Sequence, residues 1–157
     1  MDALNPQPVG TFRLESEHWN QMLADVRIAD PVEACGLIAG RASQAVHVIP
    51  VTNVLQSRVR FRMDPLEQLN AFNQIEERGL ELLAIYHSHP DGPATPSVTD
   101  VSEAAYPGVV HLIWSKSGER LDEGLGERLT ELWNCRGFLI AGGRVSEVPI
   151  LILDDTG

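Results

Sequence analysis

Positive charge is scarce in this sequence. Its 157 residues include 12 Lys and Arg against 22 Asp and Glu, and Lys116 is the only lysine, so the formal net charge is −10. Nucleic-acid binding requires basic side chains that neutralise phosphates, and an anionic membrane repels an acidic surface. The charge balance therefore argues against nucleic acid as a partner and against a membrane as a partner.

Cysteine and long apolar segments are scarce as well. Cys35 and Cys135 form neither a Cys-x-x-Cys pair nor a disulfide framework. No apolar run approaches the ~20 residues that span a bilayer, and residues 1–6 show no apolar secretion segment. We therefore expect a cytoplasmic protein. The length and the 43% hydrophobic content fit a single domain over residues 1–157, with residues 1–10 as a loose arm.

One stretch carries most of the chemical information. The apolar residues 82–86 predict a buried strand that ends at His87 and His89. Because residues i and i+2 of a strand point to the same face, both imidazoles should face one side. Ser97 begins a predicted helix in which Asp100 lies one turn along. Two imidazole nitrogens and one carboxylate suit a divalent metal such as zinc, and three protein ligands leave one position open, as in catalytic sites.

The sequence from His87 to Asp100 resembles the signature of the JAMM (MPN+) metalloproteases. It reads His-Ser-His-Pro, then five residues, then Pro-Ser-Val-Thr-Asp. The upstream glutamate of that signature has its counterpart in Glu33, within Pro-Val-Glu-Ala-Cys-Gly at residues 31–36. The resemblance implies a small stand-alone prokaryotic member of the family. It also implies a mixed α/β fold with helices flanking a central β-sheet, the cytidine-deaminase-like arrangement of the JAMM/MPN domain.

The same resemblance implies a role for each of these residues. His87, His89 and Asp100 would bind one zinc ion per chain. Glu33 would act as general base, and Ser97 would hold the oxyanion. The implied reaction is hydrolysis of an amide or isopeptide bond after the Gly-Gly tail of a ubiquitin-like or sulfur-carrier β-grasp protein. On the residues alone, Ser97 and Asp100 also fit a capping box without metal, and Glu33 also fits a surface carboxylate.

Two other classes of function stay open on the sequence. One is a non-catalytic MPN interaction scaffold, and the other is a metal-dependent hydrolase of an unrelated small substrate. A metal assay separates the scaffold from the enzymes, because scaffolds of this family lack the metal ligands. A panel of substrates separates the two hydrolases. The sequence leaves the oligomeric state open.

Residues 56–63 alternate between arginines and apolar side chains, a pattern that predicts an edge strand. In one interpretation the charges only discourage aggregation at the edge. In the other, the edge accepts an extended substrate tail by strand addition, with Arg58, Val59 and Arg60 as substrate-binding residues.

The remaining pattern predicts alternating helices and strands. Predicted helices cover residues 16–28, 64–78 and 97–105, and predicted strands cover residues 11–14, 36–39, 45–50, 109–114, 131–140 and 145–153. In the second helix, Leu66, Leu69, Phe72 and Ile75 are expected to point inward. His111, within a strand, is interpreted as structural, and residues 117–128 are predicted to form a mobile loop.

Overall fold

The computed structural model describes residues 10–117 and 132–153. The predicted arm lies outside the described residues except for residue 10, and so does the predicted mobile loop except for residue 117. The elements are β1 (Phe12–Glu15), α1 (Ser16–Ala29), β2 (Cys35–Arg41), β3 (Gln44–Val51), α2 (Pro65–Glu77), β4 (Glu81–His89), α3 (Val98–Glu103), β5 (Val110–Ser117), β6 (Leu132–Ala141), β7 (Arg144–Val148) and β8 (Ile150–Leu153).

The eight strands form one mixed sheet in the order β7-β6-β5-β4-β2-β3-β1-β8. The predicted mixed α/β class, with helices on a central sheet, is confirmed. The prediction of one strand over residues 145–153 is wrong. Pro149, which has no N–H to donate, separates β7 from β8, and these two strands form opposite edges of the sheet. Since one residue joins them, the two edges meet there and the sheet curls around its core.

The centre of the sheet is formed by β2 and β4, which pair antiparallel with Cys35 opposite His87 and Gly36 opposite Tyr86. A Cβ at residue 36 would overlap the Tyr86 ring, so only glycine allows this ring to lie across β2. The Tyr86 hydroxyl donates a 2.7 Å hydrogen bond to Asp25 of α1. This contact ties α1 to the strand that carries the histidines.

Helix α2 begins and ends as the sequence predicts, within one residue. The Asp64 carboxylate accepts hydrogen bonds from the first turn, and Gly79 ends the helix region with φ of +66°. The predicted inward face is wrong in part, because Leu66 and Leu69 are 65% and 55% exposed. The inward face consists instead of Gln68, Ala71, Phe72 and Ile75, which follow the spacing i, i+3, i+4 and i+7. Ala71 and Ile75 are buried, and Gln68 and Phe72 are partly buried.

Residues 56–63 do not form the predicted edge strand. Residues 54–62 form a loop, the 54–62 loop, and the two residues that flank it, Asn53 and Met63, form a single β-bridge. The Asn53 side chain takes the bonds that a neighbouring strand would make. Its Oδ1 accepts from the N–H groups of Leu55 and Arg62, and its Nδ2 donates to the carbonyl of Arg60. Alternating side chains therefore do not lead to a strand here, because the backbone bonds are satisfied locally.

None of the described helices is both long and apolar enough to cross a membrane.

Candidate metal centre

The end of β4 and the segment before β2 are locked together at Ser88. Its Oγ accepts a 2.8 Å hydrogen bond from the Ala34 N–H, and its own N–H donates to the Ala34 carbonyl at 3.1 Å. Ser88 lies between His87 and His89, so both histidines are fixed on one side of this junction. Glu33, one residue before Ala34, is thereby brought beside them.

Three candidate ligand atoms converge at the end of β4. The Nε2 atoms of His87 and His89 are 3.1 Å apart, and each lies 3.2 Å from Oδ2 of Asp100. Ligand atoms at ~2.0–2.1 Å from a tetrahedral zinc ion are separated by about 3.3 Å. The triangle therefore has the size of one face of a tetrahedral metal site.

The hydrogen bonds and pKa shifts of these three groups indicate how each would meet a cation. Burial lowers the pKa of His87, which favours the neutral imidazole that binds metals. His89 donates from Nδ1 to the Pro93 carbonyl at 2.8 Å, and this bond leaves the Nε2 lone pair directed at the centre. Burial alone would raise the pKa of Asp100, but its hydrogen bonds with the two histidines hold it well below the ordinary value. Burial would lower the pKa of His89, but its hydrogen bonds to Asp100 and to the Pro93 carbonyl raise it, so a bound cation would have to displace a proton from His89. With both imidazoles neutral, two nitrogens and a carboxylate are a donor set that suits a divalent ion.

Glu33 lies beside the histidines and is only 3% exposed. Its nearest carboxylate oxygen and one ring nitrogen of each histidine all lie within 4.8 Å of one another. Burial raises the pKa of Glu33 to about 8, an effect that His89 opposes and Asp100 reinforces. A carboxylate with a pKa near neutrality is suited to exchanging protons with water or substrate.

Ser97 and Asp100 form the capping box that the sequence predicts for the start of α3. The Ser97 Oγ accepts from the Asp100 N–H at 3.0 Å, and the Ser97 N–H donates to Asp100 Oδ2 at 2.8 Å. Oδ2 is the same oxygen that lies next to both histidines. Capping and metal binding are therefore compatible, because the cap holds the carboxylate in the orientation that a metal ligand needs.

Two cavities meet at this centre. The larger groove has a volume of about 390 Å³ and is lined by His87 and Asp100 together with Arg60, Phe61, Tyr106 and His111. The smaller groove has a volume of about 230 Å³ and is lined by Glu33, His89 and Ser97 together with Arg58, Val59 and Asp91. The 54–62 loop contributes a wall to both. Of the predicted substrate-binding residues, Arg58 and Val59 line the smaller groove and Arg60 lines the larger one.

Sequence reasoning missed Phe61 and Asn53 at the site, and it missed the pairing of Arg58 with Asp91. Phe61 stacks on His87, with ring centroids 4.6 Å apart and an angle of 26° between the rings. Asn53 donates to the Glu33 carbonyl at 3.0 Å, and Arg58 pairs with Asp91 through two hydrogen bonds. The position of Phe61 in an alternating pattern gives no sign of this stacking. The other contacts join residues 20 and 33 positions apart, and no local pattern indicates them.

Comparison with known proteins places the chain in a family. A family model described as prokaryotic homologs of the JAB domain matches residues 15–130. The chain is 39% identical over 108 residues to a desampylase from Haloferax volcanii, covering 65% of this chain and 76% of the relative. It is 31% identical over 137 residues to a CysO-cysteine peptidase from Mycobacterium tuberculosis, covering 86% of each chain.

A solved structure supports the same assignment. The solution structure of a protein from Desulfitobacterium hafniense superposes with a TM-score of 0.74 at 35% identity, covering 92% of this chain and 94% of that one. The family match spans well over half of the chain and includes Glu33, both histidines and Asp100. The chain therefore belongs to the prokaryotic homologs of the JAB domain, the small prokaryotic branch of the JAMM/MPN proteins.

Proposed function

We propose that this protein is a zinc-dependent hydrolase that cleaves an amide or isopeptide bond after the Gly-Gly tail of a ubiquitin-like or sulfur-carrier protein. The observation that carries the proposal is the triangle of His87 Nε2, His89 Nε2 and Asp100 Oδ2, with edges of 3.1–3.2 Å and Glu33 beside it. The relatives support it, since their names describe a desampylase and a peptidase acting on a CysO–cysteine adduct.

In this proposal His87 and His89 hold the ion through Nε2, and Asp100 holds it through Oδ2. A bound zinc ion would lower the pKa of water toward ~7 and polarise the scissile carbonyl. Zinc is favoured over harder cations because two of the three donors are imidazole nitrogens. Phe61, stacked on His87, keeps solvent from one face of that ring.

Glu33 is proposed as the group that moves the proton. Its carboxylate takes a proton from the attacking water and gives it to the leaving nitrogen, so that the amine departs neutral. A bound cation would lower the pKa of Glu33 from its value of about 8, because positive charge favours the carboxylate. The base would then be ionised at neutral pH.

Ser97 is proposed to stabilise the oxyanion. Its Oγ accepts the N–H of Asp100, so the hydroxyl hydrogen remains available to donate. The side chain lines the smaller groove at the rim of the centre. One such donor contributes ~10²–10³ to the rate in well-studied hydrolases.

The substrate tail is proposed to lie in the larger groove. Strand addition at residues 56–63 is disfavoured, because this segment is a loop and the Val59 N–H donates to Ser57 Oγ at 3.1 Å. We propose instead that Arg60 and its neighbours in the 54–62 loop contact the tail through side chains. The two grooves on either side of the centre suit a chain that passes across the metal. This arrangement favours a conjugate over an unrelated small substrate, and the buried donor set argues against a scaffold.

The test combines metal analysis with product analysis. Zinc-loaded protein should contain about one zinc per chain and should release a carrier ending in Gly-Gly from several Gly-Gly-tailed fusions, as measured by mass spectrometry. Chelation should abolish cleavage, and added zinc should restore it. Protein that holds one zinc per chain and cleaves none of the fusions would refute the proposal, as would full activity after complete removal of the metal.

A further inference from the structure

The smaller groove contains a cationic group that the proposed reaction does not use. Arg58 lies on its wall and pairs with Asp91, with Nε 2.9 Å from Oδ2 and Nη2 3.1 Å from Oδ1. The Arg58 side chain remains 58% exposed. In a chain with net charge −10, an exposed arginine held in one orientation beside the catalytic groups calls for a functional explanation.

The pairing with Asp91 leaves three of the five N–H donors of the Arg58 guanidinium available. A guanidinium has five N–H donors in a planar fork, and Asp91 takes one on Nε and one on Nη2. The outer edge, formed by Nη1 and the second N–H of Nη2, makes no hydrogen bond to the described residues, although Asp30 also acts on this guanidinium electrostatically. This edge has the geometry that binds a second carboxylate through two parallel hydrogen bonds. Asp91 fixes the plane of the fork, so little side-chain entropy remains to be lost on binding.

The position of Glu33 indicates which part of the substrate enters this groove. Glu33 lines the smaller groove together with His89 and is absent from the lining of the larger one. Glu33 also lines a third cavity, but none of the proposed metal ligands lines that cavity. A group that protonates the leaving nitrogen must lie within hydrogen-bond reach of it. The leaving group therefore belongs in the smaller groove. Its volume of about 230 Å³ is below the ~300–1,000 Å³ of sites for drug-sized ligands, so it suits one amino acid.

We propose that the smaller groove binds the leaving amino acid and that Arg58 binds the α-carboxylate of that amino acid. This inference rests on the proposed function and narrows its substrate class. The preferred substrate is a carrier whose terminal glycine is joined to the amine of a free amino acid, rather than to a lysine side chain of a folded protein. Water adds to the glycine carbonyl, the C–N bond breaks, and Glu33 passes the proton to nitrogen. The products are a carrier carboxylate and a free amino acid.

Three matched substrates test this proposal with zinc-loaded protein. The first is a carrier ending in Gly-Gly-Ala with a free carboxylate, the second is the same chain ending in a carboxamide, and the third is joined to lysine Nε of a capped peptide. The free carboxylate should raise kcat/KM over the carboxamide by about tenfold or more, mainly through KM, since hydrogen bonds to charged groups are the stronger ones. The capped lysine conjugate should behave like the carboxamide.

Variants assign the preference to Arg58. Arg58→Gln should bring the acid-to-amide ratio close to one, whereas Arg58→Lys should keep part of it because the charge remains without the planar fork. Arg60→Gln, on the wall of the larger groove, is the matched control and should keep the ratio. Zinc content and circular dichroism show whether each variant keeps its fold. Because Arg58 is exposed, folding should be preserved.

Different results would refute the role of Arg58 and the proposed hydrolase activity. Wild-type protein that cleaves the acid and the carboxamide equally well would overturn the role of Arg58. So would an Arg58→Gln variant that loses activity on both substrates and keeps their ratio. If zinc-loaded wild-type protein cleaves none of the three substrates, the hydrolase proposal itself fails.

Discussion

The candidate metal centre and the 54–62 loop are adjacent but are held in different ways. The centre is fixed by reciprocal bonds between regular elements, namely Ser88 with Ala34 and Ser97 with Asp100. The loop is held mainly by the Asn53 side chain, by a backbone hydrogen bond at each of Val54 and Ser57, by the stacking of Phe61 on His87, and by the exposed pair of Arg58 with Asp91. The groups proposed for chemistry thus lie on a rigid framework, whereas those proposed to contact substrate lie on a segment that can adjust.

The largest expected effect on activity comes from a substitution that prevents binding of the proposed metal ion. His87→Ala removes one of the three proposed ligand atoms, so we expect the protein to lose the proposed zinc and the hydrolase activity together. Zinc content and turnover measured on the same preparation check this result. His47→Ala is the matched control, because His47 lies on β3 away from the triangle. A His87→Ala protein with full zinc content would exclude His87 as a ligand.

Glu33→Gln should separate metal binding from catalysis. The amide keeps the size of the carboxylate but cannot accept a proton near neutral pH. Zinc should stay bound because its three proposed ligands are unchanged, while turnover should fall by ~10²–10⁴. Glu76→Gln, on the exposed face of α2, serves as control. Simultaneous loss of zinc and activity would make Glu33 a ligand, and retention of both would remove it from the reaction.

The buried state of Glu33 should also be visible in the metal-free protein. Burial raises its pKa from the ordinary 4.5 to about 8, so the folded protein holds a proton that the unfolded chain releases above pH 4.5. The free energy of unfolding should therefore fall as the pH rises from about 4.5 to about 8, by on the order of 4 kcal/mol.

Urea titrations of chelated protein across this pH range measure the effect. Glu33→Gln should remove the contribution of this carboxyl to the pH dependence of the free energy of unfolding. The difference between the wild-type and variant curves of stability against pH then isolates Glu33. Parallel curves for wild type and variant would show that Glu33 titrates normally and is not buried as described.

Ser97→Ala should keep the metal but slow the reaction. Asp100 Oδ2 is held by the Ser97 backbone N–H, which the substitution leaves in place. Loss of the hydroxyl should lower turnover by ~10²–10³ and cost about 1 kcal/mol of stability as a lost cap. Ser102→Ala, also on α3, is the control. An unchanged turnover number would leave Ser97 with the capping role alone.

The difference between the candidate metal centre and the 54–62 loop also explains which features the sequence could predict. His87 and His89 are two apart on a strand, and Ser97 and Asp100 are three apart at a helix start, so local spacing places each pair. Their convergence required β4 and α3 to meet, which the family resemblance supplied. The 54–62 loop offered an alternating pattern, and the strand inferred from it was wrong. The conformation of the loop depends on hydrogen bonds with Asn53, which no local pattern indicates.

The inward face of α2 was predicted wrongly in part, because Ala71 rather than Leu69 is buried against the sheet.

The smallest expected effect concerns the loop itself. Asn53→Ala removes four hydrogen bonds, to Leu55, Arg62, Arg60 and Glu33, of which the bond to the Glu33 carbonyl is buried and the other three are partly buried. Stability should fall by about 1–3 kcal/mol. Because the loop forms a wall of both grooves while the proposed ligands lie elsewhere, zinc should be retained. KM for a Gly-Gly-tailed substrate should rise several-fold, with a smaller change in kcat.

Asn70→Ala, on the exposed side of α2, is the matched control and should change neither constant. Steady-state kinetics at a temperature where both variants stay folded provide the comparison. If Asn53→Ala loses stability while KM stays at the wild-type value, the position of the loop does not matter for binding. If instead kcat falls and KM does not, the bond from Asn53 to the Glu33 carbonyl is the one that matters, and the loop would have to be counted as part of the framework.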